Sequence, residues 1–114
     1  MIYLSNAFSL SMLDSEDTSD GVCIHFKDVS PEFVRTWLGK YTWTSCVGHE
    51  DTAGLLSDLL GISIPSNRVS IKLTPEDVIF VAQYVGPRLP EGTVKLPEGA
   101  TFKFIKCGIY DIDM

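Results

Sequence analysis

Arginine is scarce in this chain of 114 residues: Arg35, Arg68 and Arg88 are the three, and no lysine or arginine precedes Lys27. The formal net charge is −6. A protein that wraps long DNA or RNA normally carries a basic surface, because phosphate neutralisation supplies most of the affinity. Long nucleic acid is therefore not an expected partner, whereas a small anion held by two to four local cations is compatible with this balance. The three cysteines, Cys23, Cys46 and Cys107, are odd in number and far apart. They form no Cys-x-x-Cys redox pair, no zinc pattern and no disulfide framework, so buried thiols in a reducing compartment are expected and no metal site. No apolar run approaches the roughly 20 residues that cross a bilayer. The start, Met-Ile-Tyr-Leu-Ser-Asn, lacks the charged and apolar regions of a signal peptide. A soluble, cytoplasmic protein without a membrane partner is expected.

What the chain does have is 45% hydrophobic residues and a mean hydropathy of +0.14, the composition of one folded domain over residues 1–114. Its organising stretch is residues 46–61, Cys-Val-Gly-His-Glu-Asp-Thr-Ala-Gly-Leu-Leu-Ser-Asp-Leu-Leu-Gly. Ala53, Leu56 and Leu60 recur at helical spacing beside Leu55 and Leu59, giving an apolar face. Glu50 and Asp51 suit the first turn of that helix, and Gly61 suits the position past its end. His49 then sits at a strand-to-helix junction. There a side chain either caps the helix or bonds a carbonyl, or it meets an anionic ligand beside free N–H groups.

Taken in order, residues 2–8 read as a first strand. Asn6, Ser9 and Ser11 follow as short polar groups whose plain reading is turn chemistry. Residues 14–21 read as an acidic, exposed connection, and Val22 to Phe26 as a second strand. Ser30-Pro31-Glu32 is a helix start, the helix running to about Leu38 and stopping at Gly39, with Phe33, Val34, Trp37 and Leu38 buried. Tyr41 to Val47 alternates as a strand. Ile62 to Arg68 is turn-rich, Val69 to Leu73 alternates as a strand, and Val78 to Val85 is a nearly continuous apolar run suited to a central strand. Gly86 to Gly92 brackets Arg88 and Glu91 with prolines and glycines, either a plain connection or a mobile lid. Thr101 to Ile112 is a closing strand. The expected fold is α/β (α+β): a mixed β-sheet of about five to six strands with two to three helices packed on it.

Asn6-Ala7-Phe8-Ser9, Gly48-His49 with Thr52 and Leu55-Leu56, Asn67-Arg68, and Arg88-Leu89-Pro90-Glu91-Gly92 occur in this order along nearly the whole chain. In these four pieces the chain resembles the viral ring-nuclease family of type III anti-CRISPR proteins. The resemblance implies a homodimer that binds cyclic tetra-adenylate at its interface and cleaves it to linear di-adenylate without a metal or cofactor. It places His49 on the catalytic histidine, Arg68 and Arg88 on phosphate-contacting arginines, and Glu91 on an acidic residue beside the reaction centre. Asn6, Ser9 and, more loosely matched, Ser11 fall on the loop lining the ligand pocket.

The residue types suit that chemistry. The ribose 2′-OH attacks the adjacent phosphorus, and a histidine, ordinarily titrating near pH 6.5, protonates the departing 5′-oxygen. Arginines fork to phosphate oxygens and offset developing charge. Glu91 has three open roles: orienting His49, favouring its charged form, or assisting the nucleophile. Two rival readings use the same residues differently: a cyclic-nucleotide sponge without turnover, and a protein–protein adaptor of a mobile element.

Overall fold

The computed structural model describes residues 1–13 and 22–111, and side chains as far as Ile109. The acidic connection expected at 14–21 and the strand end at Ile112 lie outside the described residues. Five strands form one mixed sheet: β1 (Ile2–Ser5), β2 (Val22–Val29), β3 (Trp43–Ser45), β4 (Val78–Val85) and β5 (Thr101–Asp111), in the spatial order β2-β5-β4-β1-β3. β1 runs parallel to both β3 and β4, while β5 runs antiparallel to β4 and β2. Two helices, α1 (Pro31–Lys40) and α2 (Glu50–Leu60), and one 3-10 turn (Leu10–Met12) complete the domain. The expected single α+β domain is the observed one.

Both helices lie on the same face of the sheet. Val34 and Leu38 of α1 and Ala53, Leu55, Leu56 and Leu60 of α2 pack on Leu4, Phe80, Ala82, Phe102 and Phe104. Each fully buried Val, Leu or Phe side chain among them stabilises the fold by roughly 1.5–3 kcal/mol. The opposite face carries a smaller cluster, Ile79, Val81, Cys107 and Ile109, covered by Phe8, Met12, Leu13, Ile71 and Leu73. β4 contributes to both clusters because it is the middle strand, which is why its run is apolar at almost every position.

Several boundaries differ from expectation. β1 ends at Ser5, because the Ser5 hydroxyl donates to Ala7 O and accepts from Ala7 N, closing a turn before Phe8. β2 continues through Lys27 and Asp28 to Val29, paired along its length with β5; it is an edge strand, so charged side chains stay in solvent. α1 passes through Gly39 to Lys40, since Gly39 faces open space and Tyr41 N–H still reaches Trp37 O at 3.0 Å. β3 is short: beyond Ser45 the chain keeps one further bond, Cys46 N–H to Leu4 O at 2.7 Å.

The strand expected at Val69 to Leu73 is not formed. Only Leu73 makes a bridge, to Leu13, with Leu73 N–H donating to Met12 O. Ile71 and Leu73 alternate because they roof the smaller cluster, while Val69 is exposed. The period there reports burial and not a ladder.

Candidate functional site

The loops after β1 and β3, the start of α2 and the connection between α2 and β4 converge through backbone hydrogen bonds. Asn6 Oδ1 accepts from Gly48 N–H at 3.3 Å, joining the end of β1 to the turn before His49. Asn67 N–H donates to Val47 O at 2.8 Å, and its Nδ2 donates to Ser45 O at 2.7 Å, so the segment bearing Arg68 is pinned beside the same turn. The Arg68 stem lies against Gly48: a Cβ there would stand 3.4 Å from Arg68 Cγ. A Cβ at position 48 would thus stand in van der Waals contact with the Arg68 stem.

His49 occupies the N-cap position of α2 with extended backbone, and its side chain makes no capping bond. Its carbonyl accepts from Ala53 N–H at 3.0 Å, the first bond of the helix. The first-turn N–H groups of Glu50, Asp51 and Thr52 have no partner inside the helix. At the other end Gly61 adopts φ 68°, the left-handed conformation that closes a helix and that glycine takes without strain.

Asp51 brings in the fourth piece. Its Oδ2 accepts from Gly92 N–H at 2.8 Å, so the loop bearing Arg88 and Glu91 is tied to the first turn of α2. Leu89 and Leu96 anchor the same segment on the helix-side core. Its entry is tight: a Cβ at Gly86 would come within 2.7 Å of Ala100 Cβ and 3.0 Å of Ala100 Cα, so only glycine fits. The Tyr84 hydroxyl donates to Pro87 O across that bend.

Asn6, His49, Arg68 and Glu91 are thus gathered by contacts of their own backbone neighbours. Arg88 stands exposed just before the Leu89 anchor. Ser9 and Ser11 are engaged with each other, Oγ to Oγ at 2.9 Å, and Ser9 Oγ also accepts from Ser11 N–H, capping the 3-10 turn. Lys72 Nζ donates to Ser11 O at 2.5 Å. Among the described residues the ion pairs are Met1–Asp77 and Lys103–Asp28. Among the described residues no carboxylate pairs with Arg68, Arg88 or His49.

A cleft of about 290 Å³ opens beside Asn6 on the sheet face away from the helices. Phe8 and Phe26 form one wall, ring centroids 5.6 Å apart and nearly perpendicular, and Gln83 projects from β4 at the rim. Two residues of this region escaped the sequence reading. Gln83 is the single polar residue inside the Val78–Val85 run, which was the available signal; Asp51 looked like an ordinary dipole partner and carried none.

The thiols are not all buried. Cys46 and Cys107 are, but Cys23 is exposed, because it lies on the outer strand β2. Burial pushes the Cys46 thiol up, and that of Cys107 up to about 11, so neither is a nucleophile near neutral pH. Among the described residues no three His, Cys, Asp or Glu side chains cluster to hold a metal, and no helix is long and apolar enough to cross a membrane.

Residues 2–103 match the family model described as STIV B116-like. An uncharacterized protein 26 of Sulfolobus islandicus filamentous virus (isolate Iceland/Hveragerdi) is 31% identical over 94 residues, 82% of this chain and 75% of that protein. The solved structure of B116 of Sulfolobus turreted icosahedral virus has a TM-score of 0.75 at 26% identity, over 94% of this chain and 97% of that one.

Proposed function

The chain belongs to the STIV B116-like family of small viral proteins, and from that premise we propose that it is a metal-independent ring nuclease. On this reading it cleaves cyclic tetra-adenylate to linear di-adenylate and so shuts off type III CRISPR second-messenger signalling. The observation that carries the reading is the uncapped His49 at the start of α2, gathered with Arg68 and with the tethered loop of Arg88 and Glu91. A stabilising N-cap would be Ser, Thr, Asp or Asn; histidine there serves chemistry better than it serves the helix.

In the proposed reaction the 2′-hydroxyl of one ribose gives up its proton, to the Glu91 carboxylate or to water, and its oxygen forms a bond to the adjacent phosphorus as the bond from phosphorus to the 5′-oxygen breaks. The His49 imidazolium gives its proton to the leaving 5′-oxygen, and the product carries a 2′,3′-cyclic phosphate. Arg68 and Arg88 hold phosphate oxygens and offset charge that grows in the transition state. Glu91 orients the histidine or assists the nucleophile. One chain offers two of these arginines to a ring of four phosphates. A two-fold dimer around the ligand would supply four and would set two copies of His49 at opposite phosphates, giving two cuts. The Gln83 amide and the Phe8–Phe26 wall beside Asn6 are suited to the edge and face of an adenine.

The test is incubation with labelled cyclic tetra-adenylate in excess EDTA, beside the His49→Ala variant. Linear di-adenylate from the parent, with binding kept and cleavage lost in the variant, is the expected result. Tight binding with no product from either protein would make it a sponge, and absence of binding would sink the reading altogether.

A further inference from the structure

At the end of β4 away from His49, the geometry points to a second anion site, built on Lys27 and Lys106 and suited to a phosphate monoester or phosphate dianion. It does not depend on the ring-nuclease reading. The cleft, of about 230 Å³, lies between the edge strand β2, β5 and the turn before β4, with His25, Lys27, Lys106, Gly108 and Asp77 among its walls. Val78 borders it, five residues before Gln83, so about 17 Å of strand separates it from the cleft at Asn6.

Lys27 and Lys106 are directly opposite in the antiparallel ladder and project to the same face. Like charges in that position destabilise a sheet, and an anion bound between them would relieve the repulsion. The chain has nine lysines and arginines against fifteen carboxylates, so a counter-ion from the protein was easy to supply. Yet among the described residues neither lysine has an ion-pair partner. The carboxylate in the cleft, Asp77, is already engaged: it lies 3.1 Å from the Met1 ammonium and accepts from Thr74 N–H at 2.8 Å and Thr74 Oγ1 at 3.2 Å.

The local balance is therefore positive in an acidic protein. Lys106 Nζ is also held in place, 4.8 Å over the Trp37 ring. Gly108, opposite His25, also lines the cleft. Two lysines from adjacent strands, both lining the cleft, match a compact dianion, for which lysine serves as a point charge. They do not make the basic stripe that a long polyanion needs.

The experiment is a titration followed by amide NMR at constant ionic strength, with inorganic phosphate in one arm and adenosine monophosphate in the other. Saturating shifts at His25, Lys27, Lys106 and Gly108 are expected, with affinity at least about tenfold weaker in Lys27→Gln and in Lys106→Gln. Tighter binding of the monophosphate would assign the site to an esterified phosphate, and equal binding to the free ion. Lys27 is exposed, so its variant serves as the folded control. Unmoved signals, shifts reproduced by sodium chloride, or shifts that persist in both variants would overturn the site.

Discussion

Helix α1 begins on Ser30, whose hydroxyl accepts from Phe33 N–H at 3.1 Å, followed by Pro31 and by Glu32 in the first turn. Helix α2 begins on His49, which makes no capping bond, and its first turn holds two acids, one of them bonded to a loop. Both helices pack on the same sheet face and bury similar apolar residues. The difference is confined to their first turns. α1 starts in the way that stabilises a helix most; α2 gives up that stabilisation, its N-cap being an exposed histidine that makes no capping bond. A helix start made worse than its neighbour's, at the place where four loops converge, is what a ligand site built at the expense of stability looks like.

The largest expected effect comes from making the two starts alike. His49→Asn gives α2 a capping side chain, so the helix gains about 0.5–1 kcal/mol. Under the proposed reaction the same variant lacks the proton donor to the leaving oxygen, so cleavage of cyclic tetra-adenylate should fall by roughly 10²–10⁴-fold. A thermal melt and a single-turnover assay on one preparation give both readouts. Lower stability together with unchanged cleavage would remove the contrast between the helices and the role of His49 at once.

Damaging the better start is the converse. Ser30→Ala removes the Phe33 cap and costs about 1 kcal/mol, a fall in Tm of roughly 4–6 °C for a domain of this size. Because α1 contributes no residue to the site, cleavage per folded molecule should not change. A melt that does not move would show the Ser30 cap to be idle and the comparison empty.

The same contrast explains what the sequence made visible. α1 was legible because Ser-Pro-Glu is a local signal, and α2 because five apolar residues and Gly61 agree with one another. β4 was legible to the residue, since a strand between two clusters is apolar at nearly every position. The run from Val69 to Leu73 misled because covering a sheet and joining it leave the same alternation. β2 ran past Lys27 and Asp28 because an edge strand can keep charges in solvent. Around the candidate site, the place of His49 at the start of α2 was legible from its strand-to-helix junction, while Arg68 and Arg88 were singled out only through a family resemblance. The bond from Asp51 to Gly92 was not, because it links positions 41 residues apart. Nor was the exposure of Cys23, which follows only from β2 being outermost.

That bond makes the smallest predicted effect and the sharpest one. Asp51 does two things at the start of α2: its charge suits the helix dipole, worth about 0.3–1 kcal/mol, and its Oδ2 holds the backbone of the loop that carries Arg88 and Glu91. Asp51→Ala removes both; Asp51→Asn removes the charge but keeps an acceptor oxygen. If loop tethering is what the site uses, the alanine variant should lose about three- to tenfold in kcat/KM, in line with one hydrogen bond of 0.5–1.5 kcal/mol. The asparagine variant should then recover most of it while sharing the small loss in Tm. Equal kcat/KM in the parent and the alanine variant would mean that Leu89 and Leu96 position the loop unaided. A deficit equally deep in both variants would mean that the Asp51 charge matters and the bond to Gly92 does not.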